Sequence, residues 1–166
     1  MSNQSIPKVG FGLWKIAPED CADAVYNAIK CGYRHLDSAC DYGNEAEVGQ
    51  GIARAISEGI VQRPELFVTS KLWNTFHSHV HEAFQKTLAD LQVEYVDEYL
   101  IHFPISLEYV PIEERYPPEW TNSQGKMVPV PHDITQTWHD MEDLVRDGLA
   151  KQIGVCNFEV QMLRHL

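Results

Sequence analysis

The chain has 166 residues, 44% hydrophobic and 22% charged, and its 13 Lys and Arg against 24 Asp and Glu leave a formal net charge of −11. That length suits one domain, residues 1–166, which buries about two thirds of the surface of its unfolded form, and no repeat or Ser/Gly-rich tract marks a disordered arm. The acidic balance excludes nucleic acid and anionic membrane as natural partners, no apolar run approaches the roughly 18 residues of a membrane span, and the start, Met1-Ser2-Asn3-Gln4-Ser5, lacks the basic and apolar regions of a signal peptide.

The expected location is therefore the cytosol. Cys21, Cys31, Cys40 and Cys156 show no Cys-x-x-Cys spacing, which fits reduced thiols packed as small apolar groups.

Lys8 to Lys15 reads as a first strand whose Gly10 and Gly12 mark a bend or a close backbone approach. No third glycine and no helix follow, so this Gly-x-Gly does not make a Rossmann dinucleotide turn. Pro18 to Lys30 predicts a helix with Cys21, Ala24, Val25, Ala28 and Ile29 on one face, and Gly32 closes it. Arg34 to Ala39 reads as a short buried strand. Asn44 with Glu47 three residues later reads as a capping box for a helix from Glu45 to Ser57, ended by Gly59.

Leu66 to Trp73 is the third strand and Ser78 to Leu91 the third helix, with Val80, Phe84, Leu88 and Leu91 inward. Val96 to Phe103 is the fourth strand, stopped by Pro104. Residues 104–132 hold six of the nine prolines together with Tyr109, Tyr116 and Trp120, too irregular for an element and too long for a plain connector. The stretch is a lid on a substrate site or a surface for another protein; composition does not choose. Asp133 caps a fourth helix with Ile134, Trp138, Met141, Leu144 and Val145 inward, and Gln152 to Phe158 is the fifth strand after Gly148.

The alternation βαβαβαβαβ predicts right-handed crossovers and a parallel α/β sheet. A closed (β/α)8 TIM barrel takes about 250 residues, so this chain supplies about five strands and four helices of one. Such a sector leaves open edges that further strands, a second copy or a complementary fragment would cover.

Read by position, Asp37, Lys71, His102 and Asn157 fall at the C-terminal ends of strands two to five, with Tyr42 on the loop after strand two. Each has a bland role alone: a turn acid, a solvated lysine, a histidine satisfied before a proline. An acid, a base, an imidazole and a phenol gathered on the substrate rim of a parallel barrel point instead to proton chemistry. A phenol must fall by about three pKa units to titrate near neutrality, about 4 kcal/mol. One ammonium at about 4 Å and an effective dielectric of about 20 supplies that much. His102 would orient a carbonyl oxygen, while Trp14, Trp73 and Phe103 would form an apolar wall around a reaction such as hydride transfer. His77-Ser78-His79-Val80-His81 does not make a metal site, because that spacing cannot bring three rings to one face of a helix.

Gly32-Tyr33-Arg34-His35-Leu36-Asp37-Ser38-Ala39 through Tyr42, Asn44-Glu45 and Gly49 resembles the signature of the aldo-keto reductase family. Lys71 in Thr-Ser-Lys-Leu-Trp and His102 in Leu-Ile-His-Phe-Pro match its catalytic positions, and the likeness runs from Gly10-Phe11-Gly12-Leu13-Trp14-Lys15 to Gly154-Val155-Cys156-Asn157-Phe158. His102-Phe103-Pro104, Ile105-Ser106-Leu107 and Glu119-Trp120 look like the D-xylose reductase branch.

The resemblance implies a (β/α)8 enzyme that reduces small aldehydes or aldoses with NADPH, or less often NADH. It makes Tyr42 the general acid, Lys71 the group that lowers its pKa, Asp37 the partner of Lys71 and a cofactor contact, and His102 the substrate-positioning residue. It places Trp14, Trp73 and Phe103 along the substrate, Trp14 also beside the cofactor, and Cys156 and Asn157 on the nicotinamide carboxamide. Cys156 stands where the family usually has serine, a weaker donor. The hairpin that caps the family's barrel has no room before Ile6, and the strands that hold the rest of the cofactor are not in the chain. A catalytically inactive half-barrel that serves as an interaction module is the competing expectation.

Overall fold

The structure, a computed structural model, describes residues 5–164 and 166. The start at Met1 to Gln4, on which the leaderless expectation mostly rests, lies outside them. Along the chain run β1 (Phe11–Gly12), α1 (Pro18–Lys30), β2 (His35–Asp37), α2 (Glu45–Ser57), β3 (Phe67–Leu72), α3 (Val80–Leu91), β4 (Val96–Ile101), α4 (Ile134–Arg146), β5 (Ala150–Val155) and the short α5 (Val160–Leu163). Single 3-10 turns occupy Cys40–Tyr42, Arg63–Glu65 and Asn74–Phe76.

The five strands pair in parallel in the order β1-β2-β3-β4-β5. Doubly wound sheets reverse direction at a switch point, whereas strands added in sequence order build a barrel wall. The fold is thus α/β, with the parallel sheet and flanking helices of the TIM-barrel type. No described helix is long and apolar enough to cross a membrane.

Helix α1 buries Cys21, Val25, Ala28 and Ile29, and α3 buries Val80, Phe84, Leu88 and Leu91, as the helical spacing predicts; on α1, Tyr26 is also buried, while Ala24, expected inward, is half-buried. Helix α2 packs differently from a simple apolar stripe. A Cβ on Gly49 would lie 2.3 Å from the Asp90 carbonyl oxygen, and one on Gly51 2.7 Å from that of Ala22. Both glycines cost helix propensity, roughly 1 kcal/mol each against alanine, but they let the backbone of α2 settle onto α3 and α1. Strand β3 is buried along its whole length. At its foot Arg63 donates to Asp97 Oδ2 and to the Tyr95 carbonyl oxygen, both at 2.8 Å, while Asp97 Oδ2 accepts from Val68 N at 2.9 Å.

Several expected boundaries move. β1 is two residues, because its sole neighbour β2 is three residues long and the chain turns off at Lys15, which takes a left-handed φ of 64°. β5 runs Ala150–Val155 instead of Gln152–Phe158: Ala150 pairs with Val96 immediately after the turn at Gly148, and Asn157 at φ 60° breaks the extended run. Val145, expected inward on α4, is 37% exposed, since it lines an open groove with Trp138 and with Ile153 of β5. Asp133 does cap α4, accepting from Thr135 N at 3.0 Å.

Asn44 does not cap α2. Its buried amide donates instead to the carbonyl oxygens of Leu13 and Ile16, each at 3.0 Å. The Leu13 carbonyl has only a long 3.3 Å bond from Ile16 N besides, so this tie satisfies the loop after β1, which outweighs one helix cap.

Candidate active site

The fold brings Asp37, at the last position of β2, beside Lys71, near the end of β3. The Lys71 ammonium donates to Asp37 Oδ1 at 2.6 Å, to the Ser38 carbonyl oxygen at 2.8 Å and to the Tyr42 hydroxyl at 3.1 Å. An ammonium has three protons. All three are engaged. Lys71 is 5% exposed in its side chain while Asp37 is 39% exposed, so the pair runs from the core to the rim. Burial alone would pull the lysine down, yet the Asp37 carboxylate and the Tyr42 hydroxyl together outweigh it and hold the ammonium above the usual lysine range.

Tyr42 ends the 3-10 turn at Cys40–Tyr42, and Gly43 takes the left-handed φ of 72° that lets the chain enter α2. Its phenol departs from the sequence expectation. Burial pushes the hydroxyl above the ordinary tyrosine value, and Lys71 lowers it by less than burial raises it. The Coulomb argument counted the ammonium and left out desolvation of the phenolate.

His102 follows the last residue of β4, and its Nδ1 lies 2.9 Å from Asp41 Oδ1. A carboxylate accepts, so Nδ1 carries the proton and Nε2 is the ring atom left for a ligand. The His102 ring also meets those of Tyr42 at 5.9 Å, Trp73 at 5.4 Å and Phe103 at 4.7 Å. Asn157, past the end of β5, donates from Nδ2 to the His102 carbonyl oxygen at 2.8 Å and lies 3.3 Å from Cys156 Sγ.

These groups share a cleft of about 360 Å³ whose walls include Trp14, Tyr42, Trp73, His102, Phe103 and Asn157, joined by Asp41 and Trp120. Trp120 reaches it from the long loop and stacks edge-on against Trp73 at 4.8 Å and Phe103 at 5.0 Å. Trp73 Nε1 donates to the Glu119 carbonyl oxygen at 3.1 Å, which closes that side. Trp14 is 65% exposed, so it forms a lip of the cleft and not the enclosed wall expected. Cys156 is half-buried beside Asn157 and outside the cleft lining.

Sequence reasoning missed Asp41 and the work of Asn44. Adjacency to Tyr42 was the signal for Asp41, unread because a 3-10 turn has no periodicity to reveal which side chain faces His102. The histidines at 77, 79 and 81 part company: His77 meets Ser106 Oγ at 2.7 Å, His79 stacks on Tyr109 at 3.6 Å, and His81 comes near Asp140 and Asp143 on the outer surface. Those last three hold donor atoms within 4.8 Å of one another, but Asp143 already faces Arg146.

The family model described as Aldo/keto reductase family matches residues 8–166. The chain belongs to the aldo/keto reductase family. It is 54% identical over 167 residues to a probable NAD(P)H-dependent D-xylose reductase of Emericella nidulans, covering 99% of this chain and 52% of that protein. It is 56% identical over 162 residues to the NAD(P)H-dependent D-xylose reductase of Pyricularia oryzae, covering 95% and 50%. The solved aldose reductase of Schistosoma japonicum superposes with a TM-score of 0.87 at 38% identity, over 98% of this chain and 55% of that one. The chain spans about half the length of the aldo/keto reductases it matches.

Proposed function

We propose that this chain carries the carbonyl-binding and proton-donating part of an NAD(P)H-dependent reductase of small aldehydes and open-chain aldoses, D-xylose among them. One observation carries the reading: the continuous chain Asp37–Lys71–Tyr42, with its phenol opening into an aromatic cleft beside His102. Relatives named as D-xylose reductases support the substrate class and the NADPH cofactor, with NADH possible.

Tyr42 stands protonated at neutral pH, as an acid must before it acts. Tyr42 would give its phenol proton to the carbonyl oxygen of a bound aldehyde, and the Lys71 ammonium would stabilise the phenolate left behind. Asp37 keeps Lys71 charged and in place. His102 orients the substrate through Nε2, while Trp73, Phe103 and Trp120 exclude water. NAD(P)H, when bound, supplies the hydride. The residues present fit its nicotinamide end: Nδ2 of Asn157 is committed to His102, which leaves the amide oxygen to accept from a carboxamide, with Cys156 next to it and Trp14 and Asp37 at the rim. The four cysteines are all free, which supports a cytosolic location.

The test is NADPH oxidation with xylose and glyceraldehyde, wild type beside Tyr42→Phe. Turnover lost in the variant supports the reading, and equal turnover in both overturns Tyr42 as the acid. A second reading, an interaction module, draws on the apolar groove of Trp138, Val145 and Ile153 beside β5. Light scattering separates the two: self-association untouched by NADPH favours the module.

A further inference from the structure

The loop of residues 102–133 is tied to the body of the protein along two limbs. One limb is held by Leu107 N on the Asn74 carbonyl oxygen at 3.0 Å and by Tyr109, whose hydroxyl lies 2.9 Å from each carboxylate oxygen of Glu82. The other limb, 115–122, is closed on itself. Arg115 donates to the carbonyl oxygens of Thr121 and Asn122 and pairs with Glu119, so these residues move as one piece. That piece carries Trp120 into the cleft.

Two ties hold it to the body: the Glu119 carbonyl oxygen, which accepts from Trp73 Nε1 at 3.1 Å, and, on the far side from the cleft, Tyr116. The ring sits in a crevice between the Cys40–Tyr42 turn, the start of α2 and α3, with Lys86 Nζ 4.5 Å from its centroid. The Tyr116 hydroxyl lies 3.4 Å from Glu45 Oε2, a buried carboxylate already bound by Ser70 and Thr87. Pro117, next in sequence, lies 3.1 Å from where a Cβ on Gly43 would be, directly behind Tyr42. The crevice residues contribute nothing to the proton chain, yet they lie between the element that carries Tyr42 and the loop that carries Trp120.

We propose that Tyr116 is a positioning residue: seated between Glu45 and Lys86 and coupled to Trp120 through Arg115, it fixes where Trp120 stands over the cleft and so sets the width of the aldehyde site. The last clause rests on the function proposed above; the anchoring does not. Deleting the ring leaves the 115–122 piece hinged on the single Trp73–Glu119 hydrogen bond, so it pivots there and Trp120 leaves its edge-on contact with Trp73. Keeping the ring and removing only the hydroxyl leaves the cation–π seat, so the anchor survives in weakened form.

Two indoles in contact couple their excited states and give a far-ultraviolet circular dichroism couplet, here from Trp73 and Trp120. Trp120→Phe assigns the signal. The couplet is expected to lose more than half its amplitude in Tyr116→Ala, to survive largely in Tyr116→Phe, and to stay intact in Tyr109→Phe, which frees only the other limb. In steady-state assays of Tyr116→Ala, KM for the aldehyde rises several-fold while kcat stays within about twofold. If Tyr116→Ala does not fold, Tyr116→Leu decides in its place. A wild-type couplet in the folded variant overturns the anchor. A lost couplet with no aldehyde turnover in any form, wild type included, upholds the anchor and overturns the proposed activity instead.

Discussion

The carboxylate of Asp41 and Nδ1 of His102 lie 2.9 Å apart, with side-chain exposures of 13% and 9%, so the imidazole that faces the cleft is oriented by the residue immediately before the phenol. One turn therefore carries both the Tyr42 phenol and the group that aims the histidine. A charge-assisted hydrogen bond of this kind is worth about 1.5–3 kcal/mol. Asp41→Ala is expected to free the ring, and nitrogen NMR of His102 reads it directly: Nδ1 protonated in the wild type, mixed tautomers in the variant. KM for a hydroxylated aldehyde should rise by roughly tenfold or more, at the 1.4 kcal/mol per decade of binding. An unchanged tautomer in the variant would show that Asp41 does not orient the ring.

Lys71→Met removes the ammonium and keeps the stem. Because Lys71 lowers the Tyr42 pKa against the upward push of burial, the variant's phenol should titrate higher still, seen as the difference between ultraviolet titrations with and without Tyr42→Phe. Turnover should drop by about 10²–10⁴, the range for a lost proton-transfer group. A downward shift of the phenol would contradict the geometry.

Glu45 sets a pH dependence of stability. Burial raises its carboxyl from 4.5 to about 7, against the lowering effect of the Ser70 and Thr87 hydroxyls. The folded state thus keeps a proton that the unfolded chain releases, so this contribution is fully present below pH 4.5 and is lost as pH rises through about 7. The full shift corresponds to about 3 kcal/mol. Glu45→Gln should flatten that part of the profile, so urea midpoints of the two proteins converge at acid pH and separate toward pH 8 in favour of the variant. Parallel profiles would remove Glu45 as the source.

Gly49→Ala tests the contact of α2 with α3. Helix propensity alone would favour alanine by about 1 kcal/mol, but its Cβ would lie 2.3 Å from the Asp90 carbonyl oxygen. Backbone cannot yield as a flexible side chain does, so the variant should lose about 1–3 kcal/mol, measured by urea denaturation. A stabilised variant would mean that the helices can separate at little cost.

Much of this arrangement was legible in the sequence because parallel α/β folds put strand ends on one rim: Asp37, Lys71 and His102 needed only the strand boundaries to be about right. The shift of β5 to Ala150–Val155 shows the limit of that argument, since only Ala150 of the strand is buried and Lys151 is exposed, so no apolar pattern marks its start after the Gly148 turn. Asn44 shows the same limit, because a cap sequence and a loop tie use the same side chain, and only the nearby carbonyls of Leu13 and Ile16, distant in sequence, decide between them. The Tyr42 pKa was misjudged in direction because desolvation depends on neighbours far apart in sequence.

A pocket that handles aldehydes has to keep its own amines out of reach of the substrate, since a neutral lysine beside a carbonyl condenses to an imine. Lys71 has no such freedom. Its three protons are fixed on Asp37, Ser38 and Tyr42, and its charge is held by the carboxylate, so the nitrogen lone pair that would attack a carbonyl is never exposed. With the function proposed above, the same three contacts would also make the site resistant to covalent trapping by an aldehyde substrate.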